Sequence, residues 1–121
     1  AAQQSTRIVR GDDLLDSAAR QIQLRRALGL GPEPLHWHLP LVRGTDGKRL
    51  AKRHGDSRIT SYFDRGVRPE RVIGLVAAWS GVPGGRRSMS AAEFLAAFDP
   101  ETLPKSDVIF TPEDEAWLLD T

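Results

Sequence analysis

Hydrophobic and polar positions change their period along the 121 residues, and the changes mark out elements. Thr6-Arg7-Ile8-Val9-Arg10 is a β-branched run closed by Gly11, which predicts a strand. A helical period follows. Ser17 is a suitable N-cap, and Ala18 to Leu28 predicts a helix with Ile22, Leu24, Ala27 and Leu28 on its apolar side. Arg20, Gln23, Arg25 and Arg26 lie at or beyond the edge of that side. Gly29 stops the helix, and Gly31-Pro32-Glu33-Pro34 forms a rigid connection. The apolar run from Leu35 to Val42 predicts a second strand, in which Pro40 lacks an N–H and must interrupt pairing. Strand, helix and strand at this spacing predict a right-handed βαβ unit.

Gly44-Thr45-Asp46-Gly47 is strong turn chemistry, and Lys48, Arg49, Lys52, Arg53 and His54 crowd onto the glycine-flanked loop that follows. The helical period then dominates. Ile59 to Arg65 predicts a short helix ended by Gly66. Pro69 suits a first turn, and Glu70 to Ser80 predicts a core helix through Val72, Ile73, Val76, Ala77 and Trp79. Ser90 and Glu93 fit a capping box for a helix from Ala91 to Phe98. Val108-Ile109-Phe110 is an apolar stretch, and Thr111-Pro112-Glu113 starts a last helix on which Trp117 is a packing anchor. The fold class is therefore α/β, with a βαβ unit and basic loop over residues 1–56 and a mainly helical segment over residues 57–121.

A net charge of +1 argues against a generally basic nucleic-acid binder, so any anion site must be local. The absence of cysteine removes disulfides, Cys-based zinc sites and a thiol nucleophile. No apolar run approaches the length that spans a bilayer. The chain begins at Ala1 with no initiator Met and no signal pattern, so it is expected to start inside a longer protein.

Three constellations invite chemistry. The basic loop can neutralise a polyphosphate, with glycines that let it close, or it can be a solvated turn. At the C-terminal end of the first strand, Arg10 suits a carboxylate and Asp13 can accept from a hydroxyl or ammonium. The alternative is that Asp12 or Asp13 caps the next helix and Arg10 pairs with it. His36-Trp37-His38 puts two imidazoles on one side of a strand, with Glu33 or His54 as a third metal ligand. Neither of those has a spacing that points to metal, and core or edge packing is the better account. Ser57, Ser61 and His54 are close in sequence, but no carboxylate is spaced to orient a triad.

The segment Ile8-Val9-Arg10-Gly11-Asp12-Asp13-Leu14-Leu15-Asp16-Ser17, followed by Arg20-Gln21, resembles glutamyl-tRNA synthetases and their paralogue, glutamyl-Q tRNA(Asp) synthetase. His38-Leu39-Pro40-Leu41-Val42 and Gly47-Lys48-Arg49-Leu50-Ala51-Lys52-Arg53 resemble that family's strand and its KMSKS signature loop. The likeness is collinear through Arg68-Pro69-Glu70 and Phe98-Asp99, and the lack of an anticodon-binding region favours the shorter glutamyl-Q type. The resemblance implies the second half of a class I nucleotide-binding fold and ATP-dependent glutamyl transfer to tRNA in the cytoplasm. It further implies that Arg10 holds glutamate and that Asp13 lies near the ATP ribose. In the same way Leu41 and Val42 resemble the adenine-binding strand, and Lys52, with Arg49, the loop that stabilises pyrophosphate. ATP would arrive with Mg2+, and no zinc is expected in this chain.

The departures are specific. Arg49 stands where the first signature lysine is usual, Ala51 stands where the serine is usual, and no HIGH-like motif occurs. The expectation is half an active site with little ligation on its own, working with a missing N-terminal half. The alternative is a non-catalytic, synthetase-like binding module. An exposed apolar patch is expected where that half would dock, and it could drive self-association.

Overall fold

The computed structural model describes residues 2–50 and 57–120, in two compact units, Ala1–Leu41 and Val42–Thr121. In the first unit, β1 (Arg7–Gly11) pairs in parallel with β2 (Leu35–Leu39), in a register running from Arg7 opposite Leu35 to Gly11 opposite Leu39. The crossover contains a 3-10 turn, Asp12–Leu14, and α1 (Leu15–Leu28). This is the βαβ connectivity that the strand–helix–strand spacing predicts.

The helix starts three residues earlier than its sequence signal. Leu14 is its N-cap and makes no side-chain capping bond, so Ser17 does not cap it. The 3-10 turn delivers the chain into the helix already wound, so no polar cap is needed to start the ladder. Gly29 closes it in the left-handed region at φ 62°, where glycine carries no Cβ penalty. Arg25 Nη2 then donates to the carbonyls of Leu30 and Pro32, which ties the connection to the helix end. The expected apolar side is only partly covered: Ala18 is buried and Ile22 half-buried, but Leu24 and Leu28 are about 60% exposed.

Pairing lapses at Pro40, as its missing N–H requires. The predicted run to Val42 divides into β2 and a separate β3 (Val42–Arg43). In the second unit β3 pairs in parallel with β4 (Val108–Ile109), and Phe110 N–H extends the ladder by donating to the Arg43 carbonyl at 2.8 Å. Between them come α2 (Ile59–Asp64), α3 (Pro69–Trp79) and α4 (Ala91–Ala97), and α5 (Pro112–Leu119) follows β4. One core cluster joins Tyr62, Val67, Leu75 and Leu118. Phe110 stands edge-on to both Tyr62 and Trp79, with centroids 6.5 and 6.0 Å away. Trp117 packs as an anchor, with the Arg71 guanidinium 4.3 Å above its ring. An apolar cavity of about 170 Å³ sits against this cluster, lined in part by Val42, Leu50, Ser57, Trp79 and Phe110.

The Ser90–Glu93 capping box forms, and Thr111–Asp114 makes a second one. The Ser90 backbone N–H and hydroxyl hold the Glu93 carboxyl below the usual carboxylate range. The lowered value means that the contribution is present above the ordinary glutamate pKa and is lost as pH falls through the folded one. An NMR pH titration is expected to show α4 amides fraying at the acid end of that window. Phe110→Ala is expected to destabilise the second unit by about 2–4 kcal/mol in urea unfolding, because it empties the space between two aromatic rings.

Candidate functional site

The C-terminal ends of β1 and β2 lie side by side, and the chain leaves β1 through the Asp12–Leu14 turn. In open α/β sheets this is the end where ligands bind. Gly11 is at the centre of it. A Cβ placed there would meet Asp13 Oδ1 at 2.6 Å and Leu41 Cδ2 at 2.8 Å. The backbone of Gly11 has φ −64°, which any residue adopts, so a side chain here would only have to push aside the mobile ends of the Asp13 and Leu41 side chains. The Asp13 carboxylate and the Leu41 side chain, two of the sequence-predicted nucleotide residues, thus converge on one Cα.

Arg10 projects with Ile8 from the more covered face of the parallel pair, alongside His36 and His38. Its Nη2 lies 2.8 Å from His36 Nδ1. A guanidinium has donors only, so Arg10 donates and Nδ1 accepts. The two imidazole rings are parallel within 6°, their centroids 6.3 Å apart. Nε2 of each ring and Nε of Arg10 are buried without a hydrogen-bond partner. A cation donating to His36 Nδ1 is a poor neighbour for a divalent metal. Among the described residues no group of three His, Cys, Asp or Glu side chains is arranged to hold one.

Val42 and Arg49 belong to the second unit, in a tight hairpin. Gly47 N–H donates to Gly44 O at 2.9 Å and Gly44 N–H to Lys48 O at 2.9 Å, while Leu50 N–H reaches Val42 O at 3.1 Å. Asp46 Oδ1 accepts from Lys48 N–H, and Arg43 pairs with Arg49 in an antiparallel bridge. The Gly44–Gly47 turn chemistry is therefore realised, and the exposed Arg49 lies on the returning limb. Arg43 fixes the hairpin through its Nε, 2.5 Å from Asp107 Oδ2, and through Nη1 to Gly47 O at 3.2 Å. No sequence signal pointed to this pair, whose partners are 64 residues apart. Lys52, Arg53 and His54, with the rest of the loop over residues 51–56, lie outside the described residues.

Gly11→Ala is expected to displace the Asp13 and Leu41 side chains while costing the first unit less than about 1 kcal/mol, because both contacts are the movable ends of side chains. Amide shifts that move at Asp13 and Leu41 but not along α3 would report it.

The model of the family described as tRNA synthetases class I (E and Q), catalytic domain, matches residues 1–117. The glutamate–tRNA ligase of Cupriavidus pinatubonensis is 40% identical over 113 residues, covering 93% of this chain and 24% of that protein. The glutamyl-Q tRNA(Asp) synthetase of Rhodopirellula baltica is 53% identical over 77 residues, covering 64% of this chain and 23% of that one. The crystal structure of a glutamate–tRNA synthetase from Elizabethkingia anophelis superposes with a TM-score of 0.74 at 27% identity, over 93% of this chain and 26% of its own. The chain spans about a quarter of the length of the curated relatives it matches. With its parallel β1–β2 pair and helical second unit, this chain belongs to the class I tRNA synthetase (E and Q) catalytic-domain family.

Proposed function

We propose that the chain is the later part of an ATP-dependent glutamyl-transferring active site. In the reaction, a glutamate α-carboxylate oxygen attacks the α-phosphorus of ATP. The α–β anhydride bond breaks, pyrophosphate leaves, and glutamyl-adenylate remains. The glutamyl group then passes to an RNA acceptor, either the 3′ end of a tRNA or the queuosine base of tRNA(Asp), with release of AMP. Arg10 holds a glutamate carboxylate through its planar fork. Asp13 accepts from ribose hydroxyls, and the backbone at Leu41 and Val42 meets adenine. Lys52, with Arg49, offsets the charge that develops on pyrophosphate, and ATP brings its own Mg2+.

The observation that carries this reading is the meeting of the Asp13 and Leu41 side chains at Gly11, next to Arg10 at the end of parallel β1, within a chain that matches the family over residues 1–117. The same reading assigns residues 1–56 to the nucleotide-binding half and residues 57–121 to a helical appendage, in a cytoplasmic protein. No helix among the described residues is long and apolar enough to cross a membrane. Val9, Leu35 and Trp37, from 44 to 62% exposed, support a role for the remainder of the catalytic domain as a partner.

A second reading, a non-catalytic module that retains nucleotide affinity, is favoured by Arg49 and Ala51, which stand where the resembled signature loop usually has lysine and serine. Calorimetry with ATP and Mg2+ tests the site. Saturable binding is expected, weakened at least about tenfold in Lys52→Ala, a loss of about 1.4 kcal/mol. Equal binding by the two proteins would remove the loop from the ATP site. Pyrophosphate exchange by the natural full-length protein then separates the readings: ATP binding without glutamate-dependent exchange would favour the module.

A further inference from the structure

We infer that His36 is a positioning residue for Arg10, holding its guanidinium in the orientation in which it receives a glutamate carboxylate. The inference rests on the proposed role of Arg10 and adds a residue to it. In the parallel register Ile8 is opposite His36 and Arg10 opposite His38, so the 2.8 Å bond from Arg10 Nη2 to His36 Nδ1 runs diagonally across the two strands. Residues in a diagonal relation on one face are within reach of each other only when a side chain is long, as arginine is.

The chemistry of the contact is one-directional. Arg10 offers only donors, so His36 must be neutral with its proton on Nε2, and the acceptor is a single lone pair with a fixed direction. The His38 ring lies parallel to it on the same face, its centroid 6.3 Å away. The bond engages Nη2, and Arg10 Nε is buried without a partner. An arginine side chain carries a large rotamer entropy, and fixing it before the ligand arrives removes part of that cost from binding. A neutral acceptor does this without cancelling the charge. A carboxylate in the place of His36 would pair with Arg10 and compete with the substrate, and an apolar ring would leave the guanidinium to wander.

The experiment combines two readouts on His36→Phe, which keeps a planar ring and loses the acceptor, and His36→Asn, whose amide oxygen can restore an acceptor near Nδ1. The first readout is the 15N NMR line shape of the Arg10 Nη groups in this chain. Hindered rotation is expected in the parent chain, free rotation in His36→Phe, and hindered rotation again in His36→Asn. The second is glutamate-dependent pyrophosphate exchange by the natural full-length protein. KM for glutamate is expected to rise about tenfold in His36→Phe with kcat within about twofold, and to return to within about threefold of the parent in His36→Asn. An unchanged KM in His36→Phe, or an Asn variant as impaired as the Phe variant, would overturn the inference. Arg10→Ala is measured alongside. If it leaves the glutamate KM unchanged, the glutamate role of Arg10 falls, whereas the Nη line shapes still decide whether His36 holds the side chain.

Discussion

Parallel strands cannot be joined by a tight turn, and the pairing of Arg7–Gly11 with Leu35–Leu39 imposes this constraint on the first unit. The chain must cross over between them, which fixes the place of α1 and brings both strand ends to one side. The Leu35 N–H already donates to Thr6 O at 2.9 Å before the first paired residue, so the register is set from the start of the ladder. Sliding β2 by one residue would put Trp37 where His36 now stands, on the face that carries Arg10. The Arg10–His36 bond and the crowding of Asp13 and Leu41 on Gly11 both depend on this register.

In the second unit the corresponding constraint is the short β3–β4 pair. Two residues of ladder are little by themselves, and the Arg43–Asp107 ion pair and the Phe110 N–H bond to Arg43 hold the strand ends together. Phe110 continues from β4 into the aromatic cluster with Tyr62 and Trp79, so the hairpin that leads into the basic loop is anchored to the helical core. Leu50 and Ser57, on either side of residues 51–56, both line the apolar cavity beside that cluster.

Local signals were legible where the physics is local. Pro40 broke the strand where its missing N–H said it must, Gly44–Gly47 formed the turn, and Ser90 with Glu93 formed the capping box. The sequence signal places the start of α1 too late because Ser17 has capping chemistry, whereas the preceding 3-10 turn leads into the helix without a side-chain cap. Thr111-Pro112-Glu113-Asp114 had the same capping pattern as Ser90–Glu93, and its reciprocal bonds could have been read from it. The pairing of Val42–Arg43 with Val108–Ile109 could not, because partners far apart in sequence leave no periodic trace. Likewise, Gly11 reads in sequence as a strand stop. Its crowding by Asp13 and Leu41 appears only once the chain is folded.

The end of β1, around Gly11, is the proposed seat of a glutamyl nucleotide. Backbone amide NMR during titration with a non-hydrolysable glutamyl-adenylate analogue tests it most directly. Saturable shifts are expected at Arg10, Gly11, Asp13 and Leu41, all within the first unit. Shifts confined to the aromatic cluster of Tyr62, Trp79 and Phe110, with Gly11 and Asp13 unmoved at saturation, would contradict it.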